Sequence, residues 1–308
     1  MNSLTILTAP KPFTQPHINI IQRNAIRSWK QLGEDVRIVL LGNDAGIKEA
    51  ARELRVGHIP DVICNDKGTP LISSMLAMTR EQYAAPVYMI INTDIILWPG
   101  FVGSIRFIAE KAERYLIVGQ RWDLEIKNEF DFSAGWEQAL VERLNTDGRL
   151  HPRGGSDYFV FPAACYANIP DFTIGRAGWD NWMIYEARRQ GWRVIDATQD
   201  IQIVHQNHDY RHLPDGKPHY RLPETFENVR LAGGSLAIFT LEDCNSILKD
   251  GKLKRPDWNW HKFWREVEIF PLVRVKSIPL AWLFFAIFHP IKAYREWRAW
   301  MKKSGPSS

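Results

Sequence analysis

Val87-Tyr88-Met89-Ile90-Ile91 runs directly into Asn92-Thr93-Asp94, and this stretch decides the fold that the sequence predicts. Five consecutive apolar residues, three of them β-branched, indicate a strand that is buried on both faces. Such strands are typical of parallel sheets that are covered by helices. The polar tripeptide then falls at the carboxyl end of the strand, where open α/β sheets bind their ligands.

The segments around this strand alternate between strand-like and helix-like patterns. Leu4–Leu7 and Val36–Leu41 are short apolar runs that predict strands, whereas Ile18–Leu32 and Pro70–Tyr83 repeat apolar residues at helical spacing. Strands that alternate with helices of about ten to fifteen residues indicate βαβ units. We therefore predict an α/β fold with a mainly parallel, Rossmann-like sheet flanked by helices.

Several common enzyme motifs are missing from the chain. There is no Gly-x-Gly-x-x-Gly after the first strand, no phosphate-binding Gly-x-x-x-x-Gly-Lys-Ser/Thr loop, no His-Glu-x-x-His and no Gly-x-Ser-x-Gly. Hydride transfer, P-loop nucleotide hydrolysis and serine hydrolysis are therefore disfavoured.

Asp94 is the first candidate for chemistry, because a carboxylate at a strand end can hold a hard divalent cation against phosphate oxygens. The alternative is that Asn92 and Asp94 only terminate the strand in an Asx-turn.

Asp180 lies in Gly175–Trp182, at the predicted start of a helix. An ionised carboxylate there can accept the proton of an attacking hydroxyl, although Asp is also a common N-cap. Trp179 and Trp182 flank it with flat apolar faces that suit sugar stacking, or equally a protein core. Asp157 follows Gly154-Gly155-Ser156 as a weaker candidate on the acceptor side, or as a turn residue.

A strand candidate at Ile201–Val204 leads into His205, Gln206, Asn207 and His208. One imidazole of this run can complete a metal site that begins at Asp94. A zinc site from His205, His208 and His212 is an alternative, which the lack of a thiolate partner and of a His-Glu-x-x-His helix disfavours. His219 lies further on, in a Pro-, Gly- and His-rich loop.

The order of these features resembles the GT-A-fold, nucleotide-sugar-dependent glycosyltransferases, of the family-2 kind, over about residues 4–210. The resemblance implies that Asp94 is the second acidic residue of an Asp-x-Asp motif and binds Mn²⁺ or Mg²⁺ together with His205. It also implies that Asp180 is the catalytic base. Asn92 stands where the family has Asp, which weakens a charge contact to the donor ribose or the metal.

The resemblance further implies a nucleotide-diphosphate sugar as the donor. The residues that would bind it, at the nucleobase, the ribose or the diphosphate, are Thr8, Ala9, Pro10, Asn43, Asp44, Asp66, Lys67, Asn92 and Asp94. The acceptor would be a glycan or a lipid-linked molecule that contacts Asp157, Trp179 and Trp182. With Asp180 as the base, we predict transfer with inversion of the anomeric carbon.

Two other functions remain open at this stage. A sugar nucleotidyltransferase also combines a parallel sheet with acidic metal ligands. A catalytically inactive GT-A relative that serves as a scaffold or glycan-binding subunit is the other possibility, and Asn92 keeps it open. The implied division is a catalytic domain at residues 1–245, with a nucleotide-sugar half over about 1–100 and an acceptor half over about 101–245, followed by C-terminal helices at 246–308.

Charge is distributed unevenly along the chain. Residues 251–308 carry twelve Lys and Arg against four Asp and Glu, a net charge of +8, which leaves residues 1–250 with −4 of the total of +4. The apolar run Ile278–Phe288 spans eleven residues, whereas a membrane-crossing helix needs about twenty. We therefore predict that the basic, Trp-rich segment 257–303 lies on an anionic membrane surface.

Two alternatives exist for this segment. It can pack its Trp and Phe residues onto the catalytic body, or bind nucleic acid by stacking bases on its aromatic rings. No nucleic-acid-binding motif supports the second alternative, so we predict no nucleic-acid partner. Three widely spaced cysteines and an N-terminus without a signal-peptide pattern predict a cytoplasmic protein that attaches peripherally to the inner face of the membrane.

Overall fold

The structure, a computed structural model, describes residues 3–208 and 222–304. Within these residues, the chain forms two sheets from the strands β1 (Leu4–Thr8), β2 (Val36–Leu41), β3 (Gly57–Ile59), β4 (Val87–Ile91), β5 (Ile95–Leu97), β6 (Tyr115–Val118), β7 (Trp122–Leu124), β8 (Arg149–Leu150), β9 (Tyr158–Pro162), β10 (Arg193–Asp196), β11 (Ile203–Gln206), β12 (Ser246–Lys249) and β13 (Lys252–Lys254).

The helices of the described chain flank these sheets and continue beyond them. They are α1 (Pro16–Lys30), α2 (Ile47–Leu54), α3 (Ile72–Gln82), α4 (Phe101–Ala109), α5 (Trp136–Asp147), α6 (Trp179–Arg189), α7 (Pro223–Ala232), α8 (Trp260–Phe270), α9 (Ile278–Phe288) and α10 (Pro290–Ser304).

The larger sheet has nine strands in the order β13-β12-β10-β6-β9-β4-β1-β2-β3. Strands β3, β2, β1 and β4 are parallel, as are β6, β10 and β12, while β9 runs antiparallel between β4 and β6. Every residue of β4 is buried, because hydrophobic clusters cover both faces of the sheet. The predicted α/β fold with a mainly parallel, helix-flanked sheet is confirmed.

A second, smaller sheet with the order β5-β11-β7-β8 lies beyond the carboxyl end of β4. The sequence patterns predict only β11 of these four, and they place it at Ile201–Val204 rather than Ile203–Gln206. Strands β5, β7 and β8 are two or three residues long, too short for a hydrophobic alternation to be recognised. Helix α4 is also absent from the sequence predictions.

The larger sheet continues past the predicted domain boundary at residue 246. Strand β12 pairs parallel with β10, and β13 completes a hairpin with β12. The helical C-terminal segment therefore begins at Trp260. Among the helices of residues 3–208 and 222–304, none combines the length and the apolar character that a membrane crossing requires.

Candidate active site

A cleft of about 490 Å³ opens where the carboxyl ends of β1 and β4 meet the smaller sheet. The loop after β1 forms one wall, and the Gln22 side chain fixes it to α1 through hydrogen bonds with the backbone of Lys11. The residues that line the cleft and carry the polar chemistry are Thr8, Lys11, Asp44, Asn92, Thr93, Asp94, Arg121, His151, Ser156, Asp157, Arg176, Asp180, His205 and His208.

Asp94 and two histidines form a compact cluster inside this cleft. Asp94 Oδ2 lies 3.1 Å from His208 Nε2 and 3.8 Å from His205 Nε2. The backbone N–H of Gln206 donates to the carbonyl of Asp94 at 3.1 Å, which ties the end of β11 to the residue that follows β4. The predicted pairing of Asp94 with His205 is therefore present, and His208 joins it.

The Asp94 carboxylate is almost fully buried, and its Oδ1 has no hydrogen-bond partner within residues 3–208 and 222–304. Burial disfavours the charged form, yet the His205 and His208 imidazoles and the Lys11 ammonium hold the pKa of Asp94 well below its ordinary value. A buried carboxylate that stays ionised with one oxygen unpaired has the character of a ligand.

These three residues fit a divalent cation. One potential ligand atom from each of Asp94, His205 and His208 lies within 4.8 Å of the other two. Ligands at about 2.1 Å from a metal stand roughly 3 to 4 Å apart, so a modest contraction completes the site. A set of one carboxylate and two imidazoles suits a first-row divalent cation, and Asp94 Oδ1 can supply a further lone pair.

Two cations lie close to this cluster. Lys11 Nζ is 3.2 Å from His208 Nε2 and 4.0 Å from Asp94 Oδ2. Burial lowers the pKa of Lys11, the Asp94 charge opposes that shift, and the positive charge of Arg176 adds to it. The Nε of Arg176 is buried and has no hydrogen-bond partner in the described part of the chain. Arg176 Nη2 also lies 3.7 Å from Glu224. The cleft thus places two basic side chains beside the Asp94 cluster.

Asn92 and Asp157 are held together next to this cluster. Asn92 Nδ2 donates to Asp157 Oδ1 at 2.7 Å, and Arg121 binds both oxygens of Asp157 at 2.7 and 2.8 Å. The pairing of β4 with β9 brings the two residues together, since Asn92 N donates to the carbonyl of Asp157. An amide at position 92 can donate to this carboxylate, whereas an ionised Asp cannot.

Asp180 occupies the first turn of α6, as predicted. Its Oδ1 accepts a hydrogen bond of 3.0 Å from the backbone N–H of Gly178, which has a φ of +107° and precedes the helix. Burial raises the pKa of the Asp180 carboxyl, the backbone N–H groups of Asn181 and Gly178 oppose this, and the Asp157 charge adds to it. A carboxylate with a raised pKa is a better proton acceptor than an exposed one.

The carboxylate of Asp123, in β7, contacts three side chains that lie in or next to strands of the smaller sheet. Its Oδ2 is 2.7 Å from His151 Nδ1, and its Oδ1 is 2.9 Å from Arg121 Nε and 3.2 Å from His205 Nδ1. Burial opposes the charge of Asp123, but His205, His151 and Arg121 hold its pKa well below the ordinary value.

The structure brings many of the predicted site residues to the cleft and leaves others outside it. Those that line the cleft are Thr8, Ala9, Pro10, Asp44, Asn92, Asp94, Asp157, Trp179, Asp180 and His205. Asn43, Asp66, Lys67 and Trp182 do not line it. His212 and His219 lie outside the described residues.

The residues that miss the cleft have other environments. Lys67 Nζ pairs with Glu224 at 2.9 Å, and Asn43 is exposed. Trp182 packs in the core, with its ring centroid 5.2 Å from that of Phe172. The prediction that Trp182 stacks on a sugar is therefore wrong, because its side chain lies on the face of α6 that packs into the hydrophobic core.

Sequence reasoning missed five polar residues of the site, namely Lys11, Arg121, Asp123, His151 and Arg176. Lys11 and Arg176 lie close in sequence to predicted site residues, so their positions could have indicated a role in the site. Arg121, Asp123 and His151 had none, because β7 and β8 leave no pattern in the sequence. His208 belongs to the run from which one imidazole was predicted to complete the Asp94 site, but the resemblance assigned that role to His205.

No protein-family model matches this chain, and no curated protein matches its sequence. Its structure is similar to that of a mannosyltransferase from Pyrobaculum calidifontis in complex with GDP-Man and Mn²⁺, at 12% identity and a TM-score of 0.40. That similarity covers 65% of this chain and 56% of the mannosyltransferase chain, so it spans little more than half of the latter.

Glucosyl-3-phosphoglycerate synthase from Mycobacterium tuberculosis, in complex with Mn²⁺, UDP and glucosyl-3-phosphoglycerate, is similar at 13% identity and a TM-score of 0.46. Here the similarity covers 76% of this chain and 81% of the synthase chain. Both structures were solved in complex with Mn²⁺ and with a nucleotide or a nucleotide sugar.

Proposed function

We propose that this protein is a glycosyltransferase that takes its sugar from a nucleoside-diphosphate donor with the help of a divalent cation. The proposal rests on the Asp94-His205-His208 cluster, a buried ionised carboxylate with two imidazoles near the carboxyl end of β4. Thr8, Ala9 and Pro10 line the adjoining wall of the cleft, on the side proposed for the nucleoside.

Asp94, His205 and His208 would hold the cation, which when bound neutralises the negative charge that develops on the departing diphosphate. Lys11 and Arg176 face the same space and would orient the diphosphate oxygens by charge-assisted hydrogen bonds. Burial lowers the pKa of Lys11 and the charge of Arg176 adds to this shift, so a bound anion would favour the charged form of Lys11.

Asp180 would accept the proton of the acceptor hydroxyl as that oxygen attacks the anomeric carbon. Its burial and raised pKa support this role, and so does its place in the same cleft as Asp94. The attack of an acceptor activated by one base, with departure of the diphosphate from the opposite face, gives inversion. Asp157 is held by Arg121 and Asn92 and would contact the acceptor.

Titration of Mn²⁺ into the full chain by calorimetry tests this proposal. We expect one Mn²⁺ site in the wild type and loss of that site in Asp94→Asn, while the exposed Asp61→Asn serves as a matched control with unchanged binding. Thermal stabilisation by UDP or GDP should then require Mn²⁺. A wild type that neither binds Mn²⁺ nor is stabilised by any nucleoside diphosphate would overturn the proposal.

We further propose that the acceptor is a glycan or a lipid-linked molecule and that the C-terminal helices attach the enzyme to an anionic membrane surface at its cytoplasmic face. Exposed apolar side chains support the attachment, among them Leu283, Ile287, Ile291 and Trp297, each more than half exposed. Lys292, Arg295 and Arg298 are exposed on α10, where they would lie at the level of lipid phosphates.

Co-sedimentation with vesicles tests the attachment. The full chain should bind vesicles of phosphatidylcholine with phosphatidylglycerol and bind pure phosphatidylcholine more weakly. Ile287→Asp with Ile291→Asp should abolish binding without loss of fold, since both side chains are exposed. Equal binding of this double variant and the wild type would exclude the C-terminal helices as the membrane contact.

A further inference from the structure

The register of the smaller sheet places Asp123 directly opposite His205. Strand β7 pairs parallel with β11, and Asp123 and His205 are the central partners of this pairing. Side chains of directly opposite residues stand on the same face of a sheet, about 5 Å apart at their Cβ atoms. The contact between these two side chains is therefore fixed by the backbone of two strands.

Each oxygen of Asp123 faces an imidazole. Oδ1 is 3.2 Å from His205 Nδ1, and Oδ2 is 2.7 Å from His151 Nδ1. The contact with His205 is the longer and less well aligned of the two. Arg121 holds Oδ1 from the other side at 2.9 Å and also binds Asp157, so Asp123 is anchored independently of His205.

We propose that Asp123 is a positioning residue that fixes the tautomer of His205. An ionised carboxylate accepts a hydrogen bond and cannot donate one, so it favours the tautomer of His205 that carries its proton on Nδ1. The lone pair then lies on Nε2, the nitrogen that faces Asp94 Oδ2 at 3.8 Å. A carboxylate behind a metal-binding histidine also strengthens the basicity of the imidazole.

This inference rests on the proposed function in one respect, since it assigns His205 Nε2 to the cation. The tautomer itself exists without any cation, and it can be measured separately. The two parts can therefore fail independently of each other.

The test compares Asp123→Leu, Asp123→Asn and the wild type, with Glu125→Leu as the matched control. Glu125 is an exposed acidic residue just beyond the same strand, with only a 3.9 Å contact to Lys127 as its ion pair among the described residues. The nitrogen NMR spectrum of ¹⁵N-histidine-labelled protein reports the tautomer, and His205→Gln identifies the signal. Calorimetry with Mn²⁺ alone gives the dissociation constant.

We expect a protonated Nδ1 for His205 in the wild type and in Glu125→Leu, and a mixture of tautomers in Asp123→Leu. The Mn²⁺ dissociation constant should rise about 10- to 100-fold in Asp123→Leu and less in Asp123→Asn, which keeps an acceptor oxygen. If Asp123→Leu does not fold, the isosteric Asp123→Asn decides the question by a shift in both readouts.

Two results would overturn the inference. One is a His205 signal that keeps its Nδ1 proton in Asp123→Leu, and the other is a Mn²⁺ affinity within twofold of the wild type in both variants. A wild type that binds no Mn²⁺ but shows the expected tautomer change would refute the metal site and leave the positioning role intact.

Discussion

The cleft and the joint between α6 and α8 both bury charged side chains, but they satisfy them differently. In the cleft, Asp94 Oδ1 and Arg176 Nε are buried and have no hydrogen-bond partner among the residues that the structure describes. At the joint, Arg188 binds both oxygens of Glu266 and the carbonyl of Asp243. Unpaired buried polar atoms are costly and rare, so a set of them in one cleft indicates a place kept for a ligand.

The joint is complete without any ligand. Lys262 Nζ donates to the carbonyls of Glu242 and Cys244, and Arg265 pairs with Asp243. These contacts hold α8 against the body, while apolar side chains of α9 and α10 remain exposed. The C-terminal segment therefore packs onto the body through these charges and through the buried side chains of Ile269, Leu272, Val273 and Ala281, and it still leaves apolar surface of α9 and α10 exposed.

The largest effect should come from Asp180→Asn, which leaves the shape of the cleft unchanged and removes its proton acceptor. We expect turnover, measured as release of nucleoside diphosphate, to fall about 10²- to 10⁴-fold. Asp147→Asn, an exposed substitution at the end of α5, is the control. Turnover of Asp180→Asn close to that of the wild type would remove Asp180 from the reaction.

The same variant carries a pH prediction. Because burial raises the pKa of Asp180, the acid limb of the wild-type rate profile should lie above the range of an ordinary Asp. The rate should fall as the pH drops through this pKa, since the carboxylate is then protonated. The residual rate of Asp180→Asn should lack this limb, and a limb that persists unchanged would assign it to another group.

The next largest effect should come from breaking the joint. Arg188→Met leaves the partly buried Glu266 with only Lys262 as an ion-pair partner among the described residues, so the free energy of unfolding should fall by about 3 kcal/mol. Arg189→Met is a matched control one residue away, because Arg189 is partly exposed and its ion pair among the described residues is with Glu186 of the same helix. Its loss should stay within about 1 kcal/mol in urea unfolding. Equal losses for the two variants would show that the joint is no stronger than a surface pair.

Asn92→Asp should have an intermediate effect on stability, and it tests the contact between Asn92 and Asp157 in the cleft. The introduced carboxyl group would stand where Asn92 Nδ2 now donates to Asp157 at 2.7 Å, so its pKa should rise above the unfolded value. The variant should be close to wild-type stability at low pH, where a protonated carboxyl can still donate. It should lose about 1–3 kcal/mol as the pH rises through the raised pKa.

Urea midpoints at pH 5 and pH 8 measure this effect, with the exposed Asn128→Asp as the control. A loss that is the same at both pH values would contradict the repulsion between the two carboxylates. The expected sign also explains why this chain has Asn where an Asp-x-Asp motif has Asp.

Local patterns in the sequence were sufficient to predict strand β4, the position of Asp94 near its end and the position of Asp180 at the start of α6. They were insufficient wherever a position depends on distant strand pairing. Asn92 could not be matched with Asp157 before β4 and β9 were paired, and Asp123 became visible only through the register of β7 with β11. Which Trp of α6 reaches the cleft likewise depends on how the helix packs.

The smallest effect should come from replacing single basic residues on α10. This prediction tests whether the exposed surface of the C-terminal helices binds an anionic membrane. Each Lys or Arg near an anionic bilayer contributes about 1 kcal/mol, so Lys292→Ala should weaken binding to phosphatidylglycerol-containing vesicles about fivefold. Lys127→Ala, in the exposed loop after β7, removes the same charge far along the chain from α10 and should leave binding unchanged. The difference should shrink as salt is added, because screening shortens the reach of the surface potential. If both variants weaken binding equally, the net charge of the protein governs the interaction, and the exposed surface of the C-terminal helices is not a specific membrane contact.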